Sequence, residues 1–447
     1  MIDAYGFLFR NAILPLWEGK LRGRQTLAHL SSLERTQWYS FDELQALQGA
    51  ALVRLIEHAR AHVPFYRTFE PVRSVEDLSR LPLLTREQAA LETRRSTVAP
   101  LPEITKMTSG SSGRPLAFAY DRDSEYWRQA TKLRGYAWAG YRPGDRSLHF
   151  WGTLGAIYDQ PRLRRLKVEL DHRLRRETYI DCTDRSEAAL DRVIDAIQDL
   201  KPTAILCYAQ AGAALARHIN ATGQRDWDAI PVLCCAERTF AADRAALEEA
   251  FGPGIFETYG SREVMLIASE CPAHAGMHVS MENLIVELVV RDGERTRAAE
   301  PGEVGEVVVT DLHNFGAPFI RYVTGDLAIA SKPGTCDCGR ALTRLESVEG
   351  RVTDTLRDGA GQAVSGLLFN VIFSVLAREV EEFQVVQHKD RTIDLRLVPR
   401  AAFDHGVLDV VKESCQRFLP GVGVRTELVP EIPLGKNGKR RVVVVES

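Results

Sequence analysis

Apolar residues recur along this chain at distinct intervals, and the intervals mark its elements. From Ser40 to Ala61, residues Leu44, Leu47, Ala51, Leu52, Leu55, Ile56 and Ala59 share one face at helical spacing, which predicts an amphipathic helix. Ser40 with Glu43 forms a capping box at its start, and Pro64 stops it. A second helix begins after Thr183 or Ser186 and carries Leu190, Val193, Ile194, Ile197 and Leu200 on one stripe until Pro202 breaks it. Ala204-Ile205-Leu206-Cys207-Tyr208 then reads as a buried strand. Ala241 to Ala250 predicts another helix, followed by Gly252-Pro253-Gly254 and a short strand, Ile255 to Thr258. Helices alternating with short apolar strands imply an α/β fold with largely parallel pairing.

The pattern changes after about Ser280. Asn283 to Val290 and Gly305 to Thr310 are β-rich and punctuated by Gly and Pro, which suggests a β subdomain on the same body. It changes again from Arg351. Leu367 to Ala377 predicts a helix, Phe383 to Val386 and Thr392 to Leu397 predict strands, and Val407 to Phe418 predicts a helix. The expected division is therefore a large domain over 1–350 and a small α+β domain over 351–447.

Composition narrows the partners. With a net charge of -3, no global field favours nucleic acid or an anionic membrane. No apolar run has the length of a transmembrane span. Met1 to Trp17 is apolar but carries Asp3, Arg10 and Asn11, and lacks a basic start and a cleavage site. It predicts an amphipathic helix packed on the body, not a secretory signal. The basic cluster Arg162, Arg164, Arg165, Lys167, Arg173, Arg175 and Arg176, interleaved with Glu169 and Asp171, is expected to be a solvated face. Eight cysteines in 447 residues do not make a disulfide framework; they fit a reducing compartment, the cytoplasm, with a few thiols on a metal.

Chemistry concentrates in short polar segments. Thr108-Ser109-Gly110-Ser111-Ser112-Gly113-Arg114-Pro115 offers backbone N–H groups and small hydroxyls with no bulk in the way. Alone it suits a Ser/Gly linker and a phosphate loop equally, and it lacks the Gly-Lys-Ser/Thr ending of a Walker loop. Four more segments follow in order: Tyr259-Gly260-Ser261-Arg262-Glu263, Arg321 to Leu327 with Thr324-Gly325-Asp326, Gly350-Arg351-Val352-Thr353-Asp354, and Pro433 to Arg441 with Lys439. Each alone is weak; chance does not readily supply all of them in this order.

Cys271 with His278, and Cys336 with Cys338, form ligand pairs on two loops that suit a tetrahedral Zn²⁺ of Cys₃His type, with His274 as a competing ligand. The alternative is reduced loop cysteines. Four protein ligands leave no open position, so the metal is expected to be structural. Cys234 and Cys235, in an apolar strand, are expected in the core.

Taken together, these segments resemble the adenylate-forming superfamily of acyl-CoA synthetases, adenylation domains and luciferases. Within it, the chain is most similar to the phenylacetate–CoA ligase branch and its capsule-biosynthesis relatives; Leu14-Pro15-Leu16, Arg22-Gly23-Arg24 and His62-Val63-Pro64-Phe65-Tyr66-Arg67 are in that style. The resemblance implies a large N-terminal adenylate-forming domain, with parallel-rich sheets, helices and a β subdomain, and a mobile small C-terminal α+β domain.

It also implies roles. Thr108, Ser109, Gly110, Ser111, Ser112 and Gly113 would cradle the departing phosphates. Ala236 and Glu237 would line the adenine pocket, with Tyr259, Gly260 and Ser261 beside it and the Tyr259 ring stacked on the base. Glu263 would hold Mg²⁺, Asp326 the ribose hydroxyls, and Arg351 the ribose–phosphate region. Lys439 would bring positive charge to the α-phosphate and the attacking carboxylate. His149-Phe150-Trp151-Gly152 resembles the segment beside the acyl site.

Two positions depart from the common pattern: Leu116 stands where many relatives have Lys, and Thr353 is a neutral hinge. The implied activity is ATP-dependent activation of an aryl or arylacetic acid, then thioester formation with CoA. An amine, sugar, carrier protein or nitrite-type acceptor remains open, as do AMP transfer to a cofactor hydroxyl and a non-catalytic nucleotide-binding scaffold. The oligomeric state is open, a homodimer included.

Overall fold

The computed structural model describes residues 3–89, 94–98, 104–107, 116–152, 161–292, 295–351, 355–361, 363–365, 369, 373, 376, 379–401, 403–433 and 441–446. A 12-stranded sheet forms the body. From one edge its strands run Arg295–Ala298, Leu284–Asp292, Val304–Asp311, Tyr322–Ala330, Arg344–Arg351, Met277–Val279, Met265–Glu270, Ile255–Ser261, Val232–Cys235, Ala204–Tyr208, Ser147–Trp151 and Glu177–Asp181. Pairing is parallel from Glu177–Asp181 as far as Ile255–Ser261 and antiparallel beyond it. The β-rich stretch is thus joined edge to edge with the α/β part, and Ile255–Ser261 is the seam.

Four of the expected helices form where the spacing placed them: Phe41–His62, Glu187–Leu200, Ala241–Phe251 and Gly406–Phe418. Phe41–His62 starts on the capping box: Ser40 Oγ accepts from the Glu43 N–H, and Glu43 Oε2 accepts from the Ser40 N–H. Its stripe of Leu44, Leu52, Leu55 and Ala59 is buried, each large side chain contributing about 1.5–3 kcal/mol. Leu47 departs from the expectation and is exposed, at the solvent border of that stripe. Glu187–Leu200, Ala209–Thr222 and Ala241–Phe251 cover one face of the parallel strands, packing on Leu148, Phe150, Ile205, Val232 and Ile255.

The opposite face is covered by Arg122–Trp138, a helix with too few apolar residues to stand out by periodicity. Asp121 caps it, accepting from the Ser124 N–H through one oxygen and from Phe315 and Gly316 through the other. The helix lies close to Met265–Glu270: a Cβ on Gly135 would stand 2.5 Å from Leu266. Buried arginines tie it to the antiparallel half. Arg128 pairs with Asp311 at 2.6 Å, and Arg134 with Glu282 at 2.6 Å.

The N-terminal segment is helical from Ala4 to Leu21, with Phe9 and Leu14 buried. The C-terminal residues build their own four-stranded sheet, ordered Val424–Leu428, Ile393–Pro399, Val380–Gln387 and Val443–Val445. Helix Gly406–Phe418 packs on it through Val411 and Cys415. The expected helix over Leu367 to Ala377 lies largely outside the described residues. No described helix is long and apolar enough to cross a membrane.

Candidate active site

In an open sheet of parallel strands, loops leaving the carboxyl ends form the crevice where ligands bind. Two of the implied segments leave the sheet there. After Cys235 the chain turns sharply: Ala236 adopts φ 69°, and the Glu237 N–H donates to the Cys235 carbonyl at 2.9 Å. A left-handed alanine is strained, and such strain collects at binding sites. The Glu237 carboxylate accepts from the Gln210 N–H at 3.2 Å, at the positive end of helix Ala209–Thr222. On the neighbouring seam strand, Thr258 Oγ1 lies 3.1 Å from Cys235 Sγ, which fixes the two strand ends together.

Tyr259 is buried, and its hydroxyl donates to Asp326 Oδ2 at 2.8 Å. Asp326 stands opposite Arg351 in the register of their two strands. Its backbone N–H donates to Thr324 Oγ1 at 3.1 Å, and Gly325 between them takes φ 80°. Gly260 admits no side chain, because a Cβ would stand 2.2 Å from the Met265 carbonyl oxygen. The Ser261 hydroxyl is buried with no hydrogen-bond partner among the described residues, an unmet group of the kind a ligand or water satisfies. Arg238, two residues after the Ala236-Glu237 turn begins, pairs with Glu349 on the strand that carries Arg351.

Glu263 is buried beside Tyr322, whose hydroxyl donates to Oε1 at 3.3 Å, with Arg86 at 3.7 Å. Burial, with the Glu263 charge beside it, pushes the Tyr322 phenol well above its usual range, so it remains a donor. Arg128 holds the Glu263 carbonyl. Arg262 donates to the Met107 carbonyl at 2.9 Å. That bond places Glu263 next to the strand Ile104–Met107, which leads into Thr108, and Met107 pairs across with Ala117 on the far side of the loop. Thr108 to Gly113 themselves, Lys439 and Thr353 lie outside the described residues, as does the Arg351 side chain.

The parallel strands show which side of His149-Phe150-Trp151 faces where. Phe150 is fully buried under the helices of the opposite face. Trp151, at the strand's end, also packs against the cluster of that face, edge-on to Tyr208 at 4.7 Å, but itself faces the Arg122–Trp138 side. His149 is buried there too, 3.0 Å from Ser147 Oγ and stacked on Tyr179, and burial lowers its imidazole to about 4. The sequence named Tyr208 only as the end of a strand, and Tyr136 not at all. Only the face alternation of their neighbours could have signalled them.

The Cys/His constellation comes together. The ligand atoms of Cys271, His278, Cys336 and Cys338 all lie within 4.8 Å of one another. Cys271 Sγ is 3.8 Å from Cys336 Sγ, and Cys338 Sγ is 3.3 Å from His278 Nε2. Zn–S and Zn–N bonds of about 2.3 and 2.0–2.1 Å in a tetrahedron imply ligand separations near these values. A disulfide needs about 2.05 Å. His278 Nδ1 faces the Leu342 carbonyl at 3.3 Å, which leaves Nε2 toward the thiols.

Burial pushes the Cys271 thiol up to about 12 and the His278 imidazole down to about 4, a cost that a bound cation reverses. His274, the competing ligand, is instead held by Glu270 at 2.9 Å. Cys234 and Cys235 are buried in the core. The cluster is joined to the strand that ends at Arg351, because His278 pairs with Arg344 at its start.

Residues 356–446 match the family described as the CapK C-terminal domain. The chain is 26% identical over 376 residues to a phenylacetate-coenzyme A ligase of Thermus thermophilus, covering 79% of this chain and 80% of that one. It is 27% identical over 380 residues to the phenylacetate-coenzyme A ligase of Escherichia coli, again covering 79% and 80%. In fold it is similar to 2-hydroxyisobutyryl-CoA ligase in the postadenylation state bound to 2-HIB-AMP, with a TM-score of 0.69 at 20% identity over 92% of each chain.

Proposed function

Because this chain is an adenylate-forming ligase homologous to phenylacetate–coenzyme A ligases, we propose that it joins an acid to CoA in two steps. The acid's carboxylate attacks the α-phosphate of ATP and expels pyrophosphate; the CoA thiolate then attacks the acyl carbonyl and expels AMP. The observation that carries this is the Tyr259–Asp326 bond, set opposite Arg351 at the carboxyl end of the sheet. It pairs a flat ring for the adenine with a carboxylate for the ribose hydroxyls. Ala236 and Glu237 follow the strand that pairs with the one carrying Tyr259 and would line the adenine pocket, and the unmet Ser261 hydroxyl is a donor for the nucleotide.

Two anions must meet, so the remaining groups neutralise and align charge. Glu263 would hold Mg²⁺, which would supply positive charge to neutralise the phosphates. The Thr108–Gly113 loop holds the pyrophosphate side. Lys439, on the C-terminal domain that follows Arg351, would approach the α-phosphate. Trp151 and Tyr208 support an aryl or arylacetic acid on the Arg122–Trp138 side. Cys271, His278, Cys336 and Cys338 hold a structural Zn²⁺ that pins the Arg351 strand. Eight cysteines, none in a disulfide, support a reducing compartment, the cytoplasm.

The test is acid-dependent pyrophosphate exchange across aryl, fatty and amino acids, with AMP release followed with and without CoA. Aryl acids should support exchange, and CoA should accelerate AMP release. Exchange with no CoA effect would move the acyl group to another acceptor; no exchange with any acid would defeat the assignment.

A further inference from the structure

The helix Arg162–Arg175 is mounted with its apolar stripe outward. Its inward side is polar: the His172 ring stacks on Tyr179 at 4.3 Å, and Arg175 lies 3.5 Å from Glu18. Leu163, Leu166 and Leu170 are 84%, 60% and 57% exposed. At about 100° per residue these leucines share a sector of about 60°, roughly opposite His172. Arg162 and Arg173 border that sector on one side and Lys167 on the other, all exposed. The usual surface helix is the reverse, with its apolar stripe on the core. Arg162, Arg165, Lys167 and Arg173 are solvated as expected, and the leucines stand exposed among them.

The patch has a neighbour. Tyr5 donates to the Leu174 carbonyl at 2.7 Å, and Asp3 pairs with Arg176, so the helix Ala4–Leu8 is fastened to the same helix end. Its Phe7 and Leu8 are 60% and 52% exposed.

We propose that this face docks on an anionic lipid surface. Leucines between flanking cations match the boundary of a bilayer, where acyl chains lie beneath phosphate headgroups. A second copy fits poorly, because stripe against stripe would bring Arg162, Lys167 and Arg173 close to their own counterparts as water leaves. The attraction is local, which is why the net charge of -3 does not report it.

The full chain is tested by co-sedimentation with vesicles of phosphatidylcholine alone or mixed with phosphatidylglycerol, at low and high salt. It should pellet with the anionic vesicles and be released by salt. The triple variant Leu163→Gln/Leu166→Gln/Leu170→Gln should lose about tenfold or more in partitioning. Lys167→Gln alone, at an exposed position, should lose about fivefold. Retained pyrophosphate exchange shows that each variant is folded. Wild type left in the supernatant, or a triple variant that pellets like wild type, overturns the proposal. So does a dimer by light scattering that the triple variant makes monomeric, since the face then serves a second copy.

Discussion

The hydroxyl of Tyr259 and the carboxylate of Asp326, 67 residues apart in the chain, meet at 2.8 Å in a buried position. The bond fixes the ring and the acceptor relative to each other, across two strands of the antiparallel half that do not pair directly. Tyr259→Phe keeps the ring and removes the bond. Stability should fall by about 1 kcal/mol, and the KM for ATP should rise about five- to tenfold with a smaller change in kcat. Denaturant unfolding and exchange at varied ATP check this. Unchanged values for both would mean that the bond positions nothing.

Lys439→Ala should abolish acid-dependent pyrophosphate exchange yet leave thiolation of supplied acyl-adenylate largely intact. The charge is needed where the carboxylate meets the α-phosphate, and that step is over once the adenylate exists. Exchange at the wild-type rate would remove Lys439 from the first step.

Elemental analysis should find about one zinc per chain, and chelation should lower the melting temperature. Cys336→Ser should reproduce the loss. The strand leading to Arg351 starts at the cluster, so activity should fall with stability. A metal-free protein of unchanged stability would leave the four side chains as ordinary thiols and an imidazole.

His149 makes a pH prediction. Burial lowers its folded value to about 4 from 6.5. Below pH 6.5 the unfolded chain therefore binds a proton that the folded chain refuses. Stability is fully present above pH 6.5 and falls by up to about 1.4 kcal/mol per unit down to about pH 4. Urea midpoints should slope over that window in the wild type and slope less in His149→Gln. Equal slopes would show that other groups carry the acid sensitivity.

Local patterns were legible wherever one element could be judged by itself. The Ser40–Glu43 box starts the helix it announced, and the run Ala204–Tyr208 is a strand with the same limits. The pairs Cys271 with His278 and Cys336 with Cys338 had ligand spacing, and they converge. Arg122–Trp138 was not legible. Its inward groups include Arg128 and Arg134, charges that pair with Asp311 and Glu282, more than a hundred residues away. Leu47 and His274 show the same limit from the other side: helical spacing did not say how far the covered stripe extends, and a histidine near two thiols was claimed by Glu270.

The sequence by itself determined which elements form and which chemical groups are present, because capping, periodicity and side-chain type act over a few residues. Only the tertiary structure decided that the β-rich stretch continues the parallel sheet through Ile255–Ser261, that Asp326 stands opposite Arg351, and that Leu163, Leu166 and Leu170 face outward. Those outcomes depend on strand register and on which side of a helix meets the body. Both are set by contacts between residues far apart in the chain, and no local spacing records them.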